Sequence, residues 1–505
     1  MTAKVPINRL ATGVSGLDEV LGGGLPEFSF NLIAGPPGCG KTTLAHQMMF
    51  ALATPEHPAL YFTAMGEPPL KMLRYQQQFK FFDSELLNRS IRFVDLTDTL
   101  AGDLDQVLRR IVAEVEAHNP AFVFVDSFRS LAHASGAAGN PQHNLQQFVQ
   151  QLGMLMTSWQ ATTFLIGEYV IETDASPVFT MADGLIWLRQ SVQRNSMVRK
   201  MEIMKMRGQA PLPGLHTFRI SAAGIQVFAP AGVAVAAAIN ATTGALSSRL
   251  SMGVPRLDDM LGGGLPRGYS VLVAGPSGSG KSILAAAFLA EGARCGETGI
   301  IAAFEQDPHR SRNRVVADLI ESDRVGLVDS RASDLSIDEI VGLLLSEVRR
   351  LKASRVVIDS LSGFELSLAP TFHDDFRESL SRLVTAMAGA GVTLLMTSEL
   401  EDRYTDLRFS PYGTAFMTDA IIVQRYIEVD SRLLRVMAVV KVRASVHSGE
   451  LRLFSIEADG IRIGERLPDQ EGLLGGRPTR KRASDLPASA TGADDVESPG
   501  PGLLP

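Results

Sequence analysis

The segment Ala34-Gly35-Pro36-Pro37-Gly38-Cys39-Gly40-Lys41-Thr42 decides the fold, because it returns 240 positions later as Ala274-Gly275-Pro276-Ser277-Gly278-Ser279-Gly280-Lys281-Ser282. Each copy follows a short apolar run, residues 30–34 and 270–274, that reads as a buried strand. Each precedes apolar residues one helical turn apart, Leu44 with Met48 and Leu284 with Phe288. Strand, GxxxxGK(S/T) and helix in that order specify a phosphate-binding P-loop. Glycines let the backbone curl so that successive N–H groups face phosphate oxygens, and the helix N-terminus adds partial positive charge. Residues 35–43 and 275–283, ending on Thr43 and Ile283, are therefore the expected cradles. Lys41 and Lys281 are expected to reach the β- and γ-phosphates of ATP, and the Thr42 and Ser282 hydroxyls to ligate Mg²⁺. Cys39 reads as a small filler within the first loop.

The repeat runs well beyond the loops. Gly13-Val-Ser-Gly-Leu-Asp18 matches Gly253-Val-Pro-Arg-Leu-Asp258, and Leu21-Gly-Gly-Gly-Leu-Pro26 matches Leu261-Gly-Gly-Gly-Leu-Pro266, at the same 240-residue offset. Such a period is far too long for a solenoid and identifies a duplicated domain. The boundaries expected from composition are 1–228 for the first domain, 229–248 for an Ala/Gly/Thr/Ser-rich linker and 249–467 for the second. Residues 468–505, rich in Pro, Gly, Ser, Ala and Asp, read as a disordered tail.

Two further apolar runs end in Asp-Ser, at residues 121–127 and 355–360. Buried parallel strands have this composition, and their C-terminal ends adjoin the P-loop, so Asp126 and Asp359 are expected to hold the metal. Strands leading to Glu67 and Glu305 bring a carboxylate toward the nucleotide, where it could orient or deprotonate an attacking nucleophile. A surface glutamate at a strand end is the plainer alternative.

The chain has 505 residues, 45% hydrophobic and 20% charged, with a net charge of −7. That profile suits an ordinary globular protein and disfavours nucleic-acid or anionic-membrane binding. Its two cysteines, Cys39 and Cys295, form neither a disulfide framework nor a CxxC metal pair. The first ten residues lack the apolar core of a signal peptide, and the Ala-rich stretch 229–241 is too short to span a bilayer. A cytoplasmic location is expected.

The doubled lobes, the Gly-Gly-Gly-Leu-Pro lead-in and the Asp-Ser-Leu-Ser run at 359–362 together resemble the KaiC family of bacterial circadian-clock ATPases, over residues 8–482. The stretch from Glu471 to Arg480 is similar to that family's loop into its C-terminal tail. The resemblance implies an α/β fold of tandem RecA-like P-loop NTPase domains, each a mostly parallel sheet flanked by helices. It further implies a two-tiered homohexamer with nucleotide between subunits, and leaves room for a regulatory partner at the tail. The family's Lys-x-Arg pair, which reaches the neighbour's γ-phosphate, matches Lys205/Arg207 and Lys441/Arg443, although solvated edge charges would look the same. Two departures stand out. Gly66-Glu67 and Glu305-Gln306 each keep one of the family's two adjacent glutamates, at opposite positions, and Ala415 and Phe416 stand where the clock protein has its Ser-Thr phosphoacceptors. The leading expectation is a ring-forming signalling or timing ATPase. A serine/threonine autokinase with a displaced acceptor (Ser410, Thr414 or Thr418), a RecA-type recombination factor and an ATP-locked scaffold are the alternatives.

Overall fold

The computed structural model describes residues 7–64, 69–101, 104–128, 141–169, 177–193, 196–230, 248–304, 314–329, 335–369, 372, 376–400, 416–429, 431–466, 470–471 and 479–480. The first sheet is made of β1 (Phe30–Gly35), β2 (Ala59–Thr63), β3 (Ile91–Asp95), β4 (Phe122–Asp126), β5 (Thr162–Glu168), β6 (Gly184–Gln193), β7 (Ser196–Met206), β8 (Leu215–Ser221) and β9 (Gly224–Phe228). Its spatial order is β9-β8-β7-β6-β1-β5-β4-β2-β3. The six strands from β6 to β3 run parallel, and β6 to β9 extend the edge as an antiparallel meander. Parallel strands are covered on both faces and read as continuous apolar runs; the meander needs burial on one face and alternates. All six residues of β1 are buried, whereas β7 switches between buried and open positions along its length.

Two helical layers close the sheet. The helix α1 (Lys41–Leu52) buries Leu44, Met48 and Met49 against Ile33, Phe124 and Phe164 on one face. On the other face, α2 (Leu104–His118) presents Val107, Ile111 and Val115 at helical spacing toward Val123 and Val125, with α3 (Pro141–Ser158) beside it. Alternate β4 residues therefore belong to opposite cores.

The second sheet repeats this plan. It contains β10 (Ser270–Gly275), β11 (Gly299–Ala303), β12 (Val325–Asp329), β13 (Arg355–Asp359), β14 (Thr393–Glu399), β15 (Ala420–Val429), β16 (Arg432–Val442), β17 (Arg452–Glu457) and β18 (Gly460–Arg466). Their order, β18-β17-β16-β15-β10-β14-β13-β11-β12, is that of the first sheet with every strand advanced by nine. The helix α4 (Lys281–Arg294) follows the second P-loop. The helix α5 (Ile337–Leu351) starts at a capping box, in which Ser336 and Glu339 satisfy each other's backbone N–H. These are tandem RecA-like lobes. Arg219 on β8 of the first lobe forms an ion pair with Glu339, so the two lobes meet at the N-terminus of α5.

One core position differs sharply between the lobes. Phe122 pairs with Ala59 in the first sheet, and Arg355 pairs with Gly299 at the matching place in the second. The Arg355 guanidinium is fully buried: Nε donates to Glu297 at 2.7 Å, and one terminal nitrogen donates to the carbonyls of Ser251 and Phe288 at 2.8 and 2.9 Å. The Phe288 ring lies 4.5 Å from the cation. A buried pair stripped of one member leaves an uncompensated charge. Glu297→Ala is therefore expected to lower unfolding free energy by about 3 kcal/mol, read by chemical denaturation. A loss under about 0.5 kcal/mol would show that solvent reaches Arg355 in its place.

Within residues 468–505, expected to be disordered, Gln470 and Glu471 pair with Arg480 and Thr479 as a short antiparallel ladder. Backbone hydrogen bonding thus orders part of a stretch whose composition has too few apolar residues to order it by burial. Residues 231–247 of the linker expected at 229–248, and residues 481–505, lie outside the described residues. Among the described residues no helix is long and apolar enough to cross a membrane.

Candidate functional site

Both P-loops leave the C-terminal end of the central parallel strand, β1 or β10, and enter α1 or α4. Gly40 and Gly280 cap these helices at φ 106°. A Cβ on either would lie 2.7 Å from Ile220 Cδ1 or 2.9 Å from Ile456 Cδ1, so both the left-handed backbone and the close approach demand glycine. Lys41 Nζ donates to the Pro36 carbonyl at 2.8 Å, and Lys281 Nζ donates to the carbonyls of Gly275 and Pro276 at 2.9 and 2.8 Å. Each ammonium is thereby held over its own loop.

A 420 Å³ cavity opens beside the first loop. Its wall brings together the expected Gly38, Gly40, Lys41, Thr42, Thr43 and Asp126. Five residues that sequence reasoning did not assign to the site, Thr63, Met72, Ser127, Glu168 and Ile220, complete it. Asp126 Oδ2 accepts from Thr42 Oγ1 and from the Tyr61 phenol, both at 2.8 Å. Burial pushes the Asp126 carboxyl up, Tyr61, Thr42 and Lys41 oppose that, and Glu168 adds to the rise. Tyr61 itself is fully buried and its phenol is held well above its ordinary pKa, by burial first and Asp126 second. The peptide bonds Asp126–Ser127 and Asp359–Ser360 are both cis.

These residues suit a hydrated magnesium ion. A hydroxyl and a carboxylate lie side by side, which is a hard-oxygen donor set, and Thr63 Oγ1 is buried in the cavity wall with no hydrogen-bond partner among the described residues. A metal-bound water would satisfy that hydroxyl.

Glu67 and Glu305 lie outside the described residues. Thr63 pairs with Asp126 and Ala303 pairs with Asp359, so along the chain Glu67 follows its register point by four residues and Glu305 by two. Besides Asp126, the first cavity contains the carboxylate of Glu168, at the end of β5. The available signal was an apolar strand ending in Glu in both lobes, at Glu168 and Glu399.

Lys205 and Lys441 pair with Leu185 and Ile421, which in turn pair with Leu32 and Leu272. Those positions precede Gly35 and Gly275 by three residues, roughly 10 Å of strand. Both Lys-x-Arg pairs therefore sit toward the opposite end of the sheet from their own P-loop. Their side chains point further away still. Lys205 Nζ donates to Thr180 O at 2.9 Å and Lys441 Nζ to Thr418 O at 2.6 Å. Arg207 and Arg443 are exposed and pair with Asp183 and Asp419 at 3.0 and 3.2 Å. Burial, and then the neighbouring arginine, lowers the pKa of both lysines. Neither pair lines the first lobe's cavity.

The family described as "ATPase: KaiC" matches residues 10–232 and 250–467. The chain belongs to the KaiC ATPase family. It is similar to the circadian clock oscillator protein KaiC of Rippkaea orientalis, at 27% identity covering 94% of this chain and 92% of the relative. KaiC of Picosynechococcus sp. is also 27% identical, over 98% of this chain and 97% of its own. KaiC 1 of Synechocystis sp. is 27% identical over 94% and 92%. Membership of this ATPase family implies that the chain binds nucleotide. At the positions aligned with the family's phosphoacceptors, Ala415 lies outside the described residues and Phe416 is exposed beneath the Arg377 guanidinium, 4.6 Å from its ring. Thr418 is fully buried, and Ser410 and Thr414 are not described.

Cys39 is packed in the α1 core, and burial raises its thiol despite Lys41 nearby. A buried thiol kept protonated is a poor nucleophile. Iodoacetamide at neutral pH is expected to label exposed Cys295 at least ten-fold faster than Cys39, by peptide mass spectrometry. Equal rates would show that the first loop opens readily.

Proposed function

We propose that each lobe binds one ATP with Mg²⁺ and slowly cleaves the β–γ bond, within a cytoplasmic two-tiered homohexamer that serves a timing or other signalling pathway. The observation that carries this reading is the position of the Lys-x-Arg pairs, remote from the P-loop of their own lobe and exposed at their arginines. Such cations can stabilise developing phosphoryl charge only in another chain. Lys41 and Lys281 bind the phosphates, while Thr42 with Asp126 and Ser282 with Asp359 hold the ion. Bound there, magnesium neutralises charge on the β- and γ-phosphates. Glu305 orients the attacking water in the second lobe, and Glu67 or the cavity's own Glu168 does so in the first.

The named relatives are clock oscillators, which supports a timing role, and the Ala415/Phe416 pair favours ATP hydrolysis over self-phosphorylation as the output. A net charge of −7 disfavours a nucleic-acid partner, and the tail beyond residue 467 is the place for a protein regulator. Light scattering after size-exclusion chromatography, with and without MgATP, tests the assembly: six chains are expected with nucleotide, and a monomer under both conditions contradicts the reading. Glu305→Gln in a Lys41→Ala background is expected to cut phosphate release about 100-fold or more. Unchanged release would assign water activation elsewhere. Phosphate found by mass spectrometry within residues 405–420 would favour the autokinase.

A further inference from the structure

Asp126 and Asp359 occupy equivalent ends of β4 and β13, each flanked by a parallel strand on either side. Position 61 on β2 matches position 301 on β11, because Thr63 and Ala303 oppose the two aspartates. Position 166 on β5 matches position 397 on β14, because Thr162 pairs with Phe122 and Thr393 with Arg355. The residue pairs are Tyr61 with Ile166 in the first lobe and Ile301 with Thr397 in the second. Tyr61 donates to Asp126 from one side at 2.8 Å, and Thr397 donates to Asp359 from the other. In each lobe one flanking strand thus donates a hydroxyl to the aspartate and the other has an isoleucine at the matching place, and the two lobes do so in mirror order.

We infer that a neighbouring-strand hydroxyl fixes the metal-side aspartate in each lobe, with Tyr61 and Thr397 as interchangeable positioning residues. This rests on the reading of Asp126 and Asp359 as magnesium-site carboxylates. A carboxylate that rotates freely must be ordered when the cation binds, and a hydrogen bond from outside the coordination shell removes that cost. The first-lobe arrangement is rigid. Tyr61 is fully buried, stacks near Phe124 with 5.9 Å between ring centroids, and packs at a tilt against His46 at 4.6 Å. His46 is fully buried and its pKa is pulled down to about 4 by burial, so it packs as a neutral ring. Thr42 takes the same carboxylate oxygen as Tyr61.

The test uses the full chain with Lys281→Ala, so that the first lobe dominates, and reads Mg²⁺-dependent binding of a fluorescent ADP analogue rather than turnover. Tyr61→Phe is expected to raise the Mg²⁺ concentration for half-maximal binding about ten-fold, leaving binding in EDTA unchanged as evidence of folding. Adding Ile166→Thr to Tyr61→Phe is expected to restore most of that loss. Asp126→Asn is the control for the underlying reading: if it leaves the Mg²⁺ dependence intact, Asp126 is not a metal-side ligand. If Asp126→Asn abolishes the dependence but Tyr61→Phe changes it less than two-fold, or Ile166→Thr rescues nothing, the positioning role is overturned.

Discussion

Replacing Lys41 and Lys281 together with alanine is expected to reduce phosphate release at least 100-fold. Both ammonium groups are pinned over their loops by backbone carbonyls, so neither needs a conformational search to meet a phosphate. Preorganised cations in a water-poor site are worth several kcal/mol at the transition state. The single variants separate the lobes. Lys41→Ala leaves only the second lobe active and Lys281→Ala only the first, and their rates are expected to sum to that of the intact protein. Residual activity in the double variant near the wild-type level would place hydrolysis outside the two loops.

Arg207→Ala with Arg443→Ala is expected to lower kcat about 1,000-fold, the scale on which an arginine delivered to a phosphoryl group acts. Nucleotide affinity is expected to change less than about three-fold, because a cation that meets charge developing in the transition state contributes little to ground-state binding. Mixing makes the test sharper. Chains lacking both arginines keep two complete cradles, and chains carrying Lys41→Ala and Lys281→Ala keep both arginines. Neither works alone, but mixed rings regain activity if the arginine comes from a neighbour. No recovery on mixing, in assemblies shown to exchange subunits, would put the cations in service to their own chain.

Much of this was legible before any fold was seen, for a physical reason. A phosphate cradle needs glycine, lysine and a hydroxyl at fixed offsets along one continuous segment, so residues 35–43 announce themselves in the linear chain. Asp126 and Asp359 were visible for the same reason, each closing an apolar strand. Pairing across strands was not legible. Tyr61 sits in an apolar run where an aromatic reads as core, and it is core; only the register beside β4 shows that its hydroxyl reaches Asp126. The distance of Glu67 and Glu305 from their strands' register points was likewise not legible, since the chain beyond β2 and β11 contains no marker to count from until the ladders supply one. Lys205/Arg207 were found by resemblance, but their distance from the P-loop depends on an antiparallel register with a bulge between Leu185 and Ile186.

The duplicated order of nine strands hides chemical divergence. Arg355 stands where the first lobe has an aromatic core residue, and the hydroxyl donated to the strand-end aspartate changes flank. Equal cradles with unequal surroundings predict two occupied sites that turn over at different rates.

The central claim is that one chain contains two working nucleotide sites. Protein incubated with MgATP, freed of unbound nucleotide and analysed by chromatography of the released nucleotides reports it directly. Two nucleotides per chain are expected, falling to one in either single lysine variant, with ADP appearing from both lobes over time. One nucleotide per chain in the intact protein, or ADP from a single lobe alone, would contradict it.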